Sequence, residues 1–527
     1  MATVREETFR LLRSLGMTTI FGNPGSTELP FLRDYPQDFR YVLGLQEASV
    51  VAMADGYAQA SGQAAFVNLH TAPGVGNAMG SIVTAFCQHT PLVITAGQQV
   101  RPMMALEPLL FAREATELPK PYVKWSYEPA RAQDVPAAIA RAYYIACQQP
   151  RGPVFLSIPM DDWDVEVEPL AVREVSLRTA PDPADLQAVA KQLQDSQKLA
   201  LVVGAEADRD NAWEALIALA ERTHAAVWRA PLSPRVGFPD NHPFFQGDLP
   251  PVTKMVSDKL ADYDTVLVVG APVFHYYPYV PGAIIKEGTK VIHISNDPDE
   301  AARIQVGWSL VGNIALTIEQ LLPLLSASEH VKPAVRPQPK IPVAQTPIPP
   351  AFVMHTLSQV LPEDVVVLDE SPSTAGILRK YIQATQPGSF YLTGSGGLGF
   401  AMPAAIGVKL ALPQRPVVAV LGDGSSMYSI QSLWTAAQLK LPVLFVILRN
   451  NTYAILKAFA QFEKVGEQIP GLDLPDLDII KLAEGFGCHA QRITRPEELA
   501  PTIQHLLQGN TPSVLEVVVD PNGSSLL

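Results

Sequence analysis

The stretch PVVAVLGDGSSMYSIQSLWTAAQLKLPVLFVILRNNT, residues 416–452, decides the fold of this chain. The apolar run 416–421 leads into a Gly-Asp-Gly-Ser turn, a stretch with helical periodicity follows, and a second apolar run spans 442–448. Apolar runs of this kind, joined by a helix, predict parallel strands covered on both faces. We therefore expect Asp423 and Asn450, which follow the two runs, at neighbouring carboxyl ends of one sheet.

The residues at these two strand ends suit a metal-bound diphosphate. A carboxylate and an amide carbonyl are hard oxygen ligands, and Mg²⁺ usually completes its octahedral shell with water and substrate phosphate. Gly424 and Ser425 open the helix, whose free N–H groups favour an anion. On its own, a Gly-Asp-Gly-Ser sequence is as typical of a simple turn beside a helix cap as of a metal-diphosphate site. The Asn-Asn pair that begins 27 residues after Asp423 favours the metal site.

Two segments with the composition of connectors divide the chain into three parts that share one sequence pattern. Residues 166–183 are polar, and residues 333–350 are rich in proline, a composition typical of extended connectors. Within each part, short apolar runs alternate with helix-periodic stretches. We predict three α/β domains with doubly wound parallel sheets, 1–180, 181–340 and 341–527. The predicted strands are 18–22, 64–70, 91–97, 153–159, 198–204, 265–273, 290–295, 364–370, 416–424, 442–448 and 514–519.

Composition limits the partners and the compartment. The 527 residues are 47% hydrophobic and 17% charged, which is typical of a globular protein. The formal net charge of -13 disfavours nucleic acid and anionic membranes as partners. Three scattered cysteines predict neither a disulfide framework nor a cysteine metal site. We expect a cytoplasmic protein, because neither a signal peptide nor a membrane-spanning run is evident.

The Gly-Asp-Gly-Ser turn followed by Asn-Asn resembles the diphosphate motif of the thiamine diphosphate enzymes. The resemblance extends over the whole chain, and among the 2-keto-acid decarboxylases it is strongest to the benzoylformate decarboxylase group. The segments that carry it are FGNPGSTELPFL (21–32), LQEASVVAMADGYAQASG (45–62), NLHTAPGVGNAMG (68–80), VKWSYEPA (123–130), APVFHYY (271–277) and GGLGFAMPAAIGV (396–408).

This resemblance implies a role for each domain and for several residues. The first domain would bind the cofactor's pyrimidine, the central domain would be Rossmann-like, and the third would bind the diphosphate. Mg²⁺ would be held by the Asp423 and Asn450 side chains and by the Thr452 carbonyl. The diphosphate would contact Ser373, Gly424 and Ser425. The Gly396 carbonyl would accept the cofactor's amino group, and Leu398 would be the apolar wedge that bends the cofactor.

Glu47 is the predicted catalytic acid. It precedes apolar residues at helical spacing, so its carboxyl lies on the face that a helix would bury. Position alone favours a helix-capping or salt-bridged Glu. The resemblance reverses that preference, because a carboxyl hydrogen-bonded to the aminopyrimidine promotes the imino tautomer that takes the thiazolium proton.

His70 and Ser26 both follow predicted strands. His70 ends the strand 64–70 and, on position alone, is typical of a hydrogen-bonded core residue; the resemblance makes it a candidate to bind the substrate carboxylate and to move protons. Ser26 alone reads as the N-cap of a helix beginning near Thr27. By resemblance its hydroxyl anchors the substrate carboxylate. No G-x-S-x-G elbow surrounds it, so covalent serine catalysis is not expected.

The predicted substrate pocket contains Leu110, Tyr277, Ile455 and Phe459. Benzoylformate decarboxylases have a second active-site histidine where this chain has Tyr277, and we expect His275 to point elsewhere. Ile455 stands where those enzymes have a much smaller residue, which predicts a steric penalty of roughly 1–3 kcal/mol for an aryl substrate. Neutral repacking is an equally good interpretation of these differences.

The leading hypothesis is a lyase that decarboxylates a 2-keto acid such as benzoylformate to an aldehyde and CO₂, through a C2 adduct and an enamine on thiamine diphosphate. Carboligation, as in acetolactate synthase or benzaldehyde lyase, is the alternative reaction. A catalytically silent cofactor-binding regulatory protein is the non-enzymatic alternative. The resemblance implies an active site shared by two subunits of a homodimer, and a homotetramer as the assembly.

Overall fold

The computed structural model describes residues 2–466 and 468–521. Its strands form three six-stranded parallel sheets and one antiparallel pair, Ala2–Thr3 with Glu166–Val167. In spatial order the first sheet is Arg40–Leu43, Thr19–Gly22, Ala65–Leu69, Leu92–Gln98, Val154–Pro159 and Ser126–Tyr127. The central sheet is Phe245–Asp248, Ala226–Arg229, Leu199–Val203, Thr265–Val269, Lys290–Ser295 and Trp308–Val311. The third sheet is Phe390–Leu392, Val366–Glu370, Val417–Gly422, Val443–Arg449, Ser513–Val518 and His489–Ile493.

Helices connect the strands. The α-helices are Val4–Ser14, Leu29–Leu32, Glu47–Ser61, Thr71–Cys87, Arg101–Met104, Val135–Cys147, Pro183–Gln194, Ala205–Arg209, Trp213–Thr223, Thr253–Lys259, Pro298–Arg303, Ile314–Leu321, Pro350–Val360, Ala375–Tyr381, Ala401–Ala411, Asp423–Ser426, Ser432–Gln438, Ala454–Phe462, Ile479–Gly485 and Leu499–Leu507. Short 3₁₀ turns are Ala132–Asp134, Asp162–Asp164, Leu322–Leu324 and Pro496–Glu498. Within the described ranges, no helix has both the length and the apolar content to cross a bilayer.

The strand orders explain where a ligand can bind. Numbered in chain order within each sheet, the first and third sheets share the order 2-1-3-4-6-5, and the central sheet has 3-2-1-4-5-6. In the outer two sheets the order reverses between the first and third strands, so a crevice opens there beyond the carboxyl ends. The predicted α/β class with three doubly wound parallel sheets is confirmed. The domain boundaries at residues 180 and 340 stay predictions.

The first and third domains share one apolar core. Helix Glu47–Ser61 of the first domain crosses helix Ala401–Ala411 of the third at very close range. A Cβ added to Gly56 would overlap the backbone of Ala404, and one added to Gly407 would overlap the backbone of Met53. Glycine is therefore required on both helices, because only its missing side chain permits this approach. The contact fixes the two outer sheets relative to each other.

Candidate active site

Asp423 lies at the carboxyl end of strand Val417–Gly422, where its two carboxylate oxygens accept three backbone hydrogen bonds. Oδ1 accepts from the N–H of Gly424 at 2.8 Å, and Oδ2 accepts from those of Asn450 at 3.0 Å and Asn451 at 2.6 Å. Burial raises the pKa of Asp423, and the three N–H groups act in the opposite direction. The expectation that Asp423 and Asn450 meet at neighbouring strand ends is confirmed.

Asn450 and Thr452 complete a set of oxygen atoms beside this carboxylate. The Asn450 side-chain oxygen accepts from the Thr452 N–H at 3.1 Å, and the Thr452 hydroxyl donates to the Leu472 carbonyl at 2.7 Å. A carboxylate, an amide oxygen and a backbone carbonyl are the donor types that suit Mg²⁺. No cluster of three His, Cys, Asp or Glu side chains that could hold a metal occurs in the described part of the chain. The oxygen atoms of Asp423, Asn450 and Thr452 therefore remain the candidate metal ligands.

The predicted diphosphate contacts surround the same strand ends. Ser425 is buried beside Gly422, and Ser373 is half-buried in the turn after strand Val366–Glu370. Gly396 has a φ of +74°, and a Cβ built on it would meet no atom within 4 Å. Leu398 is half-buried two residues later. This loop follows strand Phe390–Leu392 at the carboxyl edge of the same sheet, and the open space at Gly396 leaves room there for a cofactor.

Glu370 was not predicted, yet it positions that loop. Only 1% of it is exposed, and its carboxylate accepts backbone hydrogen bonds from Gly399 at 2.7 Å, Phe400 at 2.8 Å and Ala401 at 2.6 Å. Burial raises the pKa of Glu370 to about 7 against the effect of these N–H groups. The signal in the sequence is a charged residue at the end of an otherwise apolar run.

Glu47 is the first residue of helix Glu47–Ser61 and is 8% exposed. Two amide side chains hold its carboxylate: Asn23 donates to Oε1 at 3.2 Å and Asn77 donates to Oε2 at 3.0 Å. The capping alternative is wrong, because the Gln46 side chain caps the helix. Glu47 forms no ion pair with any residue in 2–466 or 468–521. The Glu47 carboxyl is therefore buried with neutral hydrogen-bond partners only.

His70 is oriented by a second glutamate that sequence reasoning missed. Its Nδ1 lies 2.8 Å from Oε2 of Glu28 and 3.2 Å from the Thr27 hydroxyl. Glu28 is 1% exposed and accepts further hydrogen bonds from the N–H groups of Gly25 at 2.8 Å and Gly97 at 2.9 Å. A carboxylate at Nδ1 favours the tautomer protonated there, which leaves Nε2 as the proton acceptor.

Ser26 is exposed in the loop between strand Thr19–Gly22 and helix Leu29–Leu32. The N-cap interpretation is wrong, since Glu28 occupies the cap position and no side-chain cap bond is formed there. Ser26, Glu47 and His70 all follow strands of the first sheet at its carboxyl edge. No hydrogen bond between described residues joins this group to the group around Asp423.

The predicted pocket residues lie partly together. The rings of Tyr277 and Phe459 stack with centroids 5.3 Å apart and an interplanar angle of 26°. Ile455 is half-buried one turn before Phe459 on helix Ala454–Phe462. His275 points elsewhere, as expected: its Nε2 lies 3.4 Å from Glu300 of the central domain. Leu110 belongs to the first domain, where it is half-buried with a φ of +66°.

Comparison with known proteins identifies the family. Models of thiamine pyrophosphate enzymes match residues 2–114 as the N-terminal TPP binding domain, 186–321 as the central domain and 373–517 as the C-terminal TPP binding domain. The benzoylformate decarboxylase of Pseudomonas aeruginosa is 45% identical over 528 residues, covering 98% of this chain and 99% of that enzyme. The chain belongs to the thiamine diphosphate-dependent 2-keto-acid decarboxylases.

Solved structures of this decarboxylase family agree with that assignment. Benzoylformate decarboxylase from Polynucleobacter necessarius has a TM-score of 0.98 at 42% identity, with 100% of both chains covered. The 4-hydroxybenzoylformate decarboxylase from Rhodococcus jostii RHA1 has a TM-score of 0.97 at 41% identity, covering 99% of this chain and 100% of that one. Thiamine diphosphate is therefore the cofactor of this decarboxylase family member.

Proposed function

We propose that this decarboxylase acts on an aryl 2-keto acid of the benzoylformate type and releases an aldehyde and CO₂. The observation that carries this proposal is the similarity over the full chain to enzymes named for benzoylformate and 4-hydroxybenzoylformate. The carboligase and the catalytically silent protein are disfavoured by the same similarity. Replacement of the carboxylate by a proton at the keto carbon is redox-neutral overall, because the carboxyl carbon leaves in oxidised form as CO₂, so no redox partner is needed.

The residues present fit Mg²⁺ and thiamine diphosphate. Asp423, Asn450 and the Thr452 carbonyl would hold the metal, and Ser425 together with Ser373 would contact the diphosphate. When bound, thiamine diphosphate supplies the electron sink for decarboxylation. At this one end of the third sheet, the oxygens of Asp423, Asn450 and Thr452 would ligate the metal, and backbone N–H and serine hydroxyl groups would donate hydrogen bonds to the diphosphate.

The first domain would supply the proton transfers and the substrate contacts. Glu47 holds or releases a proton at its carboxyl oxygens while Asn23 and Asn77 keep those oxygens in place. His70 would take up or deliver a proton at Nε2, because Nδ1 is engaged by Glu28. The exposed hydroxyl of Ser26 would donate to the substrate carboxylate. Proton transfer by such positioned groups contributes about 10²–10⁴-fold to a rate.

We also propose that the active site is completed by a second copy of the chain. Large apolar side chains are exposed near the first-domain crevice at Leu29, Leu106 and Leu109, and near the third-domain site at Tyr428. Burial of such side chains against a partner is favourable. A homodimer that pairs the first domain of one chain with the third domain of the other is therefore proposed, in a homotetramer located in the cytoplasm.

A panel of 2-keto acids, assayed with and without thiamine diphosphate and Mg²⁺, tests the proposed substrate class. We expect cofactor-dependent CO₂ release to be fastest with benzoylformate or its 4-hydroxy form, and the product to be the aldehyde. A preference for pyruvate with a ligated hydroxyketone as product would instead identify a carboligase. No turnover by the cofactor-loaded protein on any member of the panel would support the silent protein.

Ile455→Ala should shift substrate preference toward aryl keto acids. The truncation removes three carbons beside the stacked pair of Tyr277 and Phe459. The ratio of kcat/KM for benzoylformate to that for an aliphatic keto acid should rise about tenfold, which corresponds to about 1.4 kcal/mol. Leu456→Ala, at the exposed neighbouring position, is the matched control. An unaltered ratio would favour neutral repacking.

Glu370→Gln should weaken cofactor binding through the loop that contains Gly396 and Leu398. A glutamine cannot accept hydrogen bonds at its amide nitrogen, so at least one backbone N–H loses its partner at a cost of about 1–3 kcal/mol. We expect cofactor affinity, measured by titration of the apoenzyme, to fall about tenfold with a small decrease in Tm. Glu363→Gln, exposed in the same domain, should leave both unchanged. Equal affinities for the two variants would remove the positioning role.

A further inference from the structure

A pair of adjoining cavities lies where all three domains meet. Their volumes are about 240 and 470 Å³. Both cavities are lined by Gly62, Gln63, Pro91, Arg151, Arg209 and Asn211, and we call them together the junction cavity. Residues from the third domain, among them Gly388 and Arg415, line the larger of the two.

The junction cavity is separate from the candidate active site. Gln63, Pro91 and Arg151 precede strands of the first sheet, and Gly388 and Arg415 precede strands of the third. They therefore lie at the amino ends of both sheets, whereas the candidate catalytic residues follow the carboxyl ends. A five-residue strand separates the two edges by about 17 Å.

Arginines from all three domains surround this cavity, and three of them have unused donors. Arg209 and Arg151 form no side-chain hydrogen bond or ion pair with any residue that the structure describes, and Nε of Arg209 is buried without a partner. Arg415 donates to two backbone carbonyls, but its Nη2 is buried and unpaired. Arg235, by contrast, is paired with Asp208 at 2.7 Å. Burial and the nearby Arg235 lower the pKa of Arg209 to about 10, against the opposing effect of the Glu206, Asp210 and Asp208 carboxylates.

The acidic groups that line the same space are already engaged. Asp208 accepts from Arg235 and from the Trp213 indole N–H at 2.9 Å. Asp210 accepts from the N–H of Ile314 at 2.8 Å and from the Asn296 amide at 3.1 Å. His89 adds no charge, because burial lowers its pKa to about 3. The cavity thus contains guanidinium N–H groups that have no hydrogen-bonded acceptor among the described residues, although nearby carboxylates act on Arg209 and the whole chain has a net charge of -13.

We propose that the junction cavity binds the phosphate group of a phosphorylated small molecule, held by Arg151, Arg209 and Arg415. A guanidinium presents a planar fork of N–H donors that matches phosphate oxygens in pairs. Guanidinium groups that approach from three domains suit a tetrahedral dianion such as phosphate. A carboxylate accepts hydrogen bonds mainly within one plane and suits them less well. The larger volume leaves room for the organic part of a phosphate monoester. Such a ligand bridges the three domains and stabilises their arrangement.

The test uses the holoenzyme, saturated with thiamine diphosphate and Mg²⁺ so that the cofactor site is occupied. Inorganic phosphate and glucose 6-phosphate are titrated by calorimetry in phosphate-free buffer, with sodium chloride at equal ionic strength as the reference. We expect saturable binding of either phosphate probe with Kd below about 1 mM and a concentration-dependent rise in Tm. A response matched by sodium chloride would overturn the proposal.

Arg209→Gln should weaken binding of the phosphate probes tenfold or more. The matched control is Arg131→Gln, which removes an exposed arginine paired with Asp134. Arg151→Gln provides a second test should Arg209→Gln fold poorly. Unchanged phosphate affinity in a folded Arg209→Gln or Arg151→Gln variant would place the binding elsewhere and overturn the assignment.

Discussion

Glu47→Gln should lower kcat by a factor of about 10²–10⁴ while the protein stays folded and still binds its cofactor. Glutamine has nearly the same shape as glutamate and can keep hydrogen bonds to Asn23 and Asn77, because an asparagine amide can turn to present its oxygen. The glutamine amide, unlike the glutamate carboxyl group, cannot take up and release a proton. The loss should therefore appear in kcat more than in KM or in cofactor affinity.

Three measurements together test this role of Glu47. Steady-state kinetics give kcat, titration of the apoenzyme gives cofactor affinity, and thermal unfolding confirms that the variant is folded. Glu214→Gln, at an exposed position on helix Trp213–Thr223 of the central domain, is the charge-matched control and should behave as the wild type. Near-normal turnover of Glu47→Gln would contradict the proton-transfer role.

Asp423→Ala should abolish the Mg²⁺ dependence of cofactor binding. The substitution removes a candidate metal ligand and leaves three backbone N–H groups, those of Gly424, Asn450 and Asn451, without their acceptor. Removing an acceptor from buried donors costs about 1–3 kcal/mol each, so a lower Tm is expected as well. We expect cofactor affinity at saturating Mg²⁺ to fall by about 10²-fold or more.

Asn450→Ala separates the metal effect from the structural one. The Asn450 side chain accepts a single hydrogen bond, from Thr452, so its loss should perturb the fold less than the loss of Asp423. Cofactor titrations at several Mg²⁺ concentrations should still show weakened metal dependence. Glu363→Gln, which alters an exposed carboxylate elsewhere in the same domain, is the control. If both active-site variants bind the cofactor with unaltered Mg²⁺ dependence, the metal assignment is wrong.

The predictions of strands succeeded in sheet interiors and failed at sheet edges. All eleven strands predicted from apolar runs are present, and every one lies inside its sheet. The six edge strands of the three large sheets were all missed, and so were the interior strand Ala226–Arg229 and the short antiparallel pair Ala2–Thr3 with Glu166–Val167. An edge strand is covered less completely, so its sequence need not be uniformly apolar. His489–Ile493, with the sequence HAQRI, illustrates this.

The two glutamates that position site elements were missed for another reason. Glu28 holds His70 and the Gly97 backbone, and Glu370 holds a loop about 30 residues further along the chain. Each contact joins strands and loops that are distant in sequence. Nothing in the residues around Glu28 or Glu370 specifies those partners, since a glutamate after an apolar run is also compatible with a solvated strand end.

Local patterns were sufficient to establish the three parallel sheets, the adjacency of Asp423 and Asn450, and the burial of Glu47, because apolar periodicity and strand-end chemistry are properties of short segments. Only the tertiary structure decided how His70 is oriented and how Glu370 supports the Gly396 loop. It also decided that arginines from three domains converge at the junction cavity. These depend on contacts between domains and between distant strands, and a long-range contact leaves no periodic trace in a single sequence.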